Sequence, residues 1–145
     1  MPAESLLTPA MNAALGVPSE PRTFQVRRED VLRFARAIGD PNPRFSGDEA
    51  IAPPTFLRSL LPAVSPLPDG ESVPRVLDGG SAWEYFQPVR PGDRITAVSR
   101  LESLTEREGR LGRMLFTVYA IEYTDQRGQP VATLRNTLIR YREAT

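Results

Sequence analysis

Hydrophobic positions along the chain repeat with two different periods, and the change from one to the other divides the sequence. Between Arg28 and Ile38, residues Val31, Phe34, Ala35 and Ile38 fall at i, i+3, i+4 and i+7, the spacing that places apolar side chains on one face of a helix. Glu29 and Asp30 stand in its first turn, where the helix dipole favours anions, and Gly39 is placed to end it in a left-handed conformation. A shorter helix is predicted upstream, with Thr8 as N-cap, Pro9 at the first helical position and Gly16 beyond the end. Pro18 and Pro21 force an extended link, after which Thr23-Phe24-Gln25-Val26 reads as a short first strand. Pro53-Pro54-Thr55 opens a further apolar helix whose buried face is Phe56, Leu57, Leu60 and Leu61, and Pro62 ends it early.

Punctuation fills the gaps between these elements. Asp40-Pro41-Asn42-Pro43 cannot continue a helix, because a residue before proline is pushed toward extended conformations, so a rigid loop is expected. From Pro62 to Leu77, Pro66, Pro68, Pro74 and the turn signal Asp69-Gly70 replace periodicity, which predicts a surface loop or lid. From Gly80 the period becomes two. Ser81 to Gln87, Arg94 to Thr105, Arg113 to Thr124 and Pro130 to Tyr141 are rich in Thr, Val, Ile, Tyr and Phe and read as strands. Their short connections predict an antiparallel meander. One face of that sheet needs a cover, and the apolar helix starting near Thr55 is the available one. The expected fold is therefore α+β, a curved antiparallel sheet wrapped around one central helix. Residues 1–14 form an N-terminal extension with a short helix, and 15–145 form a single domain. Open sheet edges favour a dimer.

Composition narrows the function. At 145 residues, with 40% apolar and 25% charged residues, the chain fits one soluble globular domain. Eighteen cations, all arginine, balance eighteen acids, so there is no electrostatic reason to expect nucleic acid as a partner. There is no run of about twenty apolar residues to span a membrane, and Met1-Pro2-Ala3-Glu4-Ser5 carries no basic leader signal. A cytoplasmic protein is expected. Cysteine and histidine are both absent. The first absence removes thiolate chemistry and disulfides, and the second removes the usual general base near neutral pH and the commonest metal ligand. No metal and no cofactor are expected.

Four blocks carry a resemblance. Phe34-Ala35-Arg36-Ala37-Ile38-Gly39-Asp40-Pro41-Asn42-Pro43-Arg44-Phe45 resembles the hydratase-2 motif of MaoC-like enzymes, an aromatic residue, then Gly-Asp-x-Asn-Pro, an aliphatic residue and His. Ala52-Pro53-Pro54-Thr55-Phe56, Asp78-Gly79-Gly80-Ser81-Ala82-Trp83-Glu84-Tyr85 and Pro88-Val89-Arg90-Pro91-Gly92-Asp93 resemble the FAS1-like dehydratase branch of that family. The resemblance runs from about Leu15 to Tyr141. It implies the hot-dog fold and reversible hydration of a 2-enoyl thioester on CoA or acyl carrier protein, as in fatty acid metabolism. It implies that the Asp and His of the motif activate water while backbone N–H groups hold the thioester oxygen. Asp40 and Asn42 match that motif; Phe45 stands at the histidine position.

That departure removes the standard mechanism from this chain, since a carboxylate near its reference pKa of about 3.9 is a weak base at neutral pH. The family supplies a resolution, because many of its members pair a catalytic hot dog with a degenerate one that shapes the acyl tunnel. The reading that follows is a non-catalytic subunit of an enoyl-thioester hydratase or 3-hydroxyacyl-thioester dehydratase, as a homodimer or as a heterodimer with a histidine-bearing MaoC-like subunit. Candidate substrate-binding residues are Gly39, Pro43, Pro54, Thr55, Phe56, Gly79 and Gly80. Each has an ordinary structural reading too. Asp40 and Asn42 suit Asx turns after a helix, Phe45 suits a core or tunnel wall, Pro53-Pro54-Thr55 suits a plain helix start, and Gly79-Gly80 suits close backbone packing. Two other functions stay open, an acyl-ligand-binding module without turnover and a stand-alone hot-dog thioesterase. The thioesterase would need a cleft-facing acid on the helix from Thr55, where Arg58 and Ser59 stand instead.

Overall fold

In the computed structural model residues 4–143 are described; Met1, Pro2, Ala3, Ala144 and Thr145 lie outside them. The elements run α1 (Pro9–Ala13), β1 (Arg22–Gln25), α2 (Arg28–Ala37), β2 (Arg75–Tyr85), β3 (Arg94–Gly109), β4 (Gly112–Thr124) and β5 (Pro130–Tyr141), with one-turn 3-10 helices at Pro43–Phe45 and Gly70–Ser72 and a longer one at Pro54–Ser59. The strands make one five-stranded antiparallel sheet in the order β1-β3-β4-β5-β2.

Local chemistry explains the element ends. Thr8 accepts the Met11 N–H at 3.1 Å and Pro9 starts α1. Gly39, at φ +69°, ends α2: its N–H donates to Arg36 O and the Asp40 N–H to Ala35 O, both at 3.0 Å, which satisfies two carbonyls the helix leaves open.

Residues paired across strands share a face of the sheet, and the register shows which face is covered. Ala97, Tyr123, Ala132 and Tyr85 form one inward row; Ser99, Ile121, Leu134 and Trp83 form the next. Against these rows pack Val31 of α2 and Phe56, Leu57 and Leu60, making the larger hydrophobic core. A second core lies at the other end of the same face, where Leu6 and Met11 meet Leu101, Leu115 and Tyr119 under Leu67 and Val73.

Three expectations need correction. The segment after Thr55 is not an α-helix but a 3-10 helix of six residues, Pro54–Ser59. Pro54 and Pro62 remove donors at both ends, and the Ser59 hydroxyl bonds back to Phe56 O at 2.6 Å, a local bond that competes with the helical ladder. It holds the central position with help from α2, whose Val31 and Ala35 are also buried. The four long strands are not a simple meander: β3, β4 and β5 are, but β2 pairs with β5 on the far edge. Residues 86–93 must then cross three strand spacings, roughly 14 Å. They do so with Val89 buried and its carbonyl bonded to Ala52 N–H at 2.7 Å. Finally, β2 begins at Arg75 and ends at Tyr85 rather than spanning Ser81 to Gln87, because pairing with β5 recruits Arg75, Val76 and Leu77. The Phe86 and Gln87 N–H groups both turn to the Val131 carbonyl.

Candidate functional site

The motif at the end of α2 folds as two successive Asx turns. Asp40 Oδ1 accepts the Asn42 N–H and Asn42 Oδ1 accepts the Arg44 N–H, each at 3.0 Å. The second bond caps the turn Pro43–Phe45. Both polar side chains are exposed and both serve the backbone beside them, while Phe45, where the motif expects an imidazole, is turned inward and only 7% exposed. Gly39 and Pro43 shape this turn.

Two apolar clefts flank the Pro54–Ser59 turn. Phe56 and Ser59 border one of about 420 Å³ together with Phe34, Asp30 and Arg33 of α2, and the Phe34 and Phe56 rings meet edge to face at 5.7 Å. Leu57 and Pro54 border the other, of about 360 Å³, against Tyr85 and Phe86. Asp40 and Asn42 line neither. Thr55 is exposed at the head of the turn; Pro54 has no N–H, and Phe56 gives its own to Pro53 O at 2.9 Å.

Gly79 and Gly80 sit in a bulge of β2, where the register against β5 shifts between Asp78 and Gly80. A Cβ on Gly79 would lie 3.0 Å from Thr137 Cγ2 and 3.1 Å from both Ile139 Cγ1 and Thr137 O. The close approach that glycine permits is therefore to the neighbouring strand. Gly80 takes φ +119°, and its N–H donates to Asp78 Oδ1 at 2.9 Å. The bulge turns Asp78, Ser81 and the Gly80 carbonyl toward buried Asn136, whose Nδ2 donates to the Gly80 carbonyl and to Ser81 Oγ at 3.1 Å each.

Sequence reasoning missed Asn136 and, on the same face, Arg140. The signal was available in strand parity. Ala132, Leu134, Asn136, Leu138 and Arg140 alternate inward along β5, so a polar residue at 136 or 140 breaks an apolar row. Tyr123 also faces inward, stacked at 6.0 Å on Trp83, which in turn stacks on Tyr85 at 5.5 Å. Burial pushes the Tyr123 hydroxyl up to about 12 despite the opposing charge of Arg58.

Residues 13–134 match the family described as the FAS1-like, dehydratase domain region. This chain belongs to the MaoC-like hot-dog dehydratase family. Its relatives include UPF0336 proteins of Streptomyces avermitilis, 36% identical over 106 residues covering 63% of this chain and 69% of that protein, and of Parafrankia sp., 36% identical over 123 residues covering 75% and 79%. The "Probable enoyl-CoA hydratase alpha subunit" of Thermomonospora curvata is 30% identical over 152 residues; the match covers 85% of this chain and 48% of that protein, so this hot-dog chain spans about half of its length. Among solved structures, the ChsH1-ChsH2 complex of Mycobacterium tuberculosis superposes with a TM-score of 0.76 at 21% identity, covering 93% of this chain and 89% of that one. The C-terminally truncated HadBC (3R-hydroxyacyl-ACP dehydratase) complex of the same organism gives 0.68 at 25% identity, covering 87% and 96%. These matches agree with the open, curved five-stranded sheet described above.

Proposed function

We propose that this MaoC-like chain is the non-catalytic, tunnel-forming subunit of an enoyl-thioester hydratase or 3-hydroxyacyl-thioester dehydratase acting on CoA or carrier-protein substrates. The observation that carries the reading is Phe45, buried where the family motif places its histidine, in a chain with no histidine at all. Asp40 and Asn42 keep the motif's turn, and their oxygens are bonded to the adjacent backbone rather than turned to a cleft. The imidazole must then come from a second hot-dog subunit. Two relatives support this: a subunit of an enoyl-CoA hydratase and a two-protein hydroxyacyl-ACP dehydratase complex.

The edge strand β2 offers the docking surface. It has a partner on one side only, and Val76, Leu77, Tyr85 and Phe86 are 44–51% exposed on or beside it. An unpaired edge with exposed apolar side chains invites another sheet, and a second hot dog would supply one. Gly39, Pro43, Pro54, Thr55, Phe56, Gly79 and Gly80 are the residues through which this subunit would shape the acyl passage. No helix among the described residues is long and apolar enough to cross a membrane, and a cytoplasmic location fits the proposed thioester substrates.

The decisive measurement is co-expression with a histidine-bearing MaoC-like subunit, followed by hydration of crotonyl-CoA. A stable complex whose activity requires both chains is expected. Hydration by this chain alone, or a partner indifferent to its presence, overturns the proposal.

A further inference from the structure

The proline-rich strap of residues 61–68 covers a cavity of about 290 Å³. Its floor is the inward face of β3, β4 and β5, with Ser99, Tyr119, Asn136 and Leu138, and its roof runs from Val64 to Leu67. Two arginines, Arg58 and Arg140, are among its lining residues, and no acid lines it. Arg140 Nε is fully buried and hydrogen-bonds to nothing. Among the described residues no carboxylate comes within 4.0 Å of that guanidinium. Asp78, on the same face and one cross-strand row away, accepts instead from Gly80 N–H and Asn136 Nδ2.

A buried charged donor without an acceptor is unfavourable and calls for a physical explanation. The cavity that Arg140 lines is apolar along most of its length and has no acid in its wall, so it matches a ligand with an apolar body and an anionic, accepting end. At about 30 Å³ of liquid volume per water-sized group, it holds roughly ten heavy atoms. The strap can yield to admit them: among the described residues no backbone–backbone hydrogen bond ties residues 61–66 to the strands, Leu61 O accepts only a long 3.4 Å bond from the Arg22 side chain of β1, and Leu61 and Val64 are more than half exposed.

We infer that this cavity binds a medium-chain carboxylate, or an acyl group ending in one, with the carboxylate on Arg140 and the chain beneath the strap. The inference deepens the subunit reading by naming the far end of the acyl group. Its first test needs no partner chain, so the two stand or fall separately.

Octanoate has the right size, and methyl octanoate is its uncharged counterpart. Titration of the full methyl-labelled chain with octanoate is expected to give saturable shifts at Val64, Ile121 and Leu138. Methyl octanoate is expected to bind at least tenfold more weakly, and Arg140→Met to weaken octanoate binding at least tenfold while leaving the ester unaffected. A second arm compares octanedioyl-pantetheine with octanoyl-pantetheine. Tighter binding of the first assigns the site to acyl groups with a terminal carboxylate, and equal binding assigns it to free acids. Absence of saturable shifts at Ile121 and Leu138, or ester binding as tight as acid binding in the unaltered protein, overturns the inference whatever the variant's stability.

Discussion

At the scale of single residues, proton chemistry near neutral pH needs a group whose pKa the fold brings toward 7. The displaced groups move the other way. Burial raises Tyr85 and drives Tyr123 up to about 12. The backbone N–H of Gln129, then Arg127, hold Asp125 below its ordinary range. Glu106 would be raised by burial, but the N–H of Leu6, the Ser5 hydroxyl, the N–H of Leu7 and Arg113 outweigh that and lower it. Phe45 and these displacements fit the proposed subunit role, in which the partner's imidazole moves the proton. Tyr123 carries a clean test. Its folded pKa lies above the unfolded value of 10.0, so the fold favours the neutral phenol; this contribution is complete below pH 10 and is lost as pH rises toward 12. At 1.36 kcal/mol per pKa unit the loss is about 3 kcal/mol. Urea midpoints measured from pH 9 to pH 12 are expected to fall in the native protein and to fall markedly less in Tyr123→Phe, which keeps the ring and removes the titrating group.

Among the elements, α1, α2 and the β3–β4–β5 meander were legible because each is local: a cap, a face or an alternation can be read within a dozen residues. The motif turn was legible for the same reason, since Asp40 and Asn42 bond two residues ahead. What was not legible depends on distant chain. Nothing within 86–93 says that it crosses to the opposite edge of the sheet, and the pairing of Arg75 to Leu77 is dictated by Ile139 to Tyr141. Likewise the clash that makes Gly79 a glycine comes from Thr137 and Ile139. The six-residue 3-10 turn could have been foreseen from its flanking prolines, but apolar spacing alone favours a longer helix. The placement of β2 at the edge yields a prediction at this scale. Val76 and Leu77 are 47% and 45% exposed and lie on opposite faces of the strand. Replacing either with Lys is expected to change folding stability by about 0.5 kcal/mol or less. The same change puts an unpaired charge into the proposed contact and is expected to weaken association with the histidine-bearing subunit at least tenfold, about 1.4 kcal/mol. Sedimentation of the mixed subunits measures the second effect and urea denaturation the first.

Across the whole molecule, two hydrophobic cores share one face of one sheet, and the larger is closed by α2 and the Pro54–Ser59 turn while the smaller is closed by Leu6, Met11, Leu67 and Val73. The N-terminal segment is fastened there by Glu106 on β3, which accepts from Ser5 Oγ at 3.0 Å and from the backbone N–H groups of Leu6 and Leu7. Because both cores use β3 and β4, loss of packing in one should be felt in the other. Met11 tests this. It is completely buried in the smaller core, where truncation to Ala removes its contacts and leaves a cavity worth about 2–5 kcal/mol. The single tryptophan, Trp83, packs against the larger core, so its fluorescence reports on a region that Met11 does not touch. If the sheet couples the two cores into one cooperative unit, Met11→Ala moves the urea midpoint seen by Trp83 downward by an amount corresponding to that cost, with the slope unchanged. A Trp83 transition that stays in place while a probe in the smaller core shifts would show that residues 4–15 and their contacts unfold on their own.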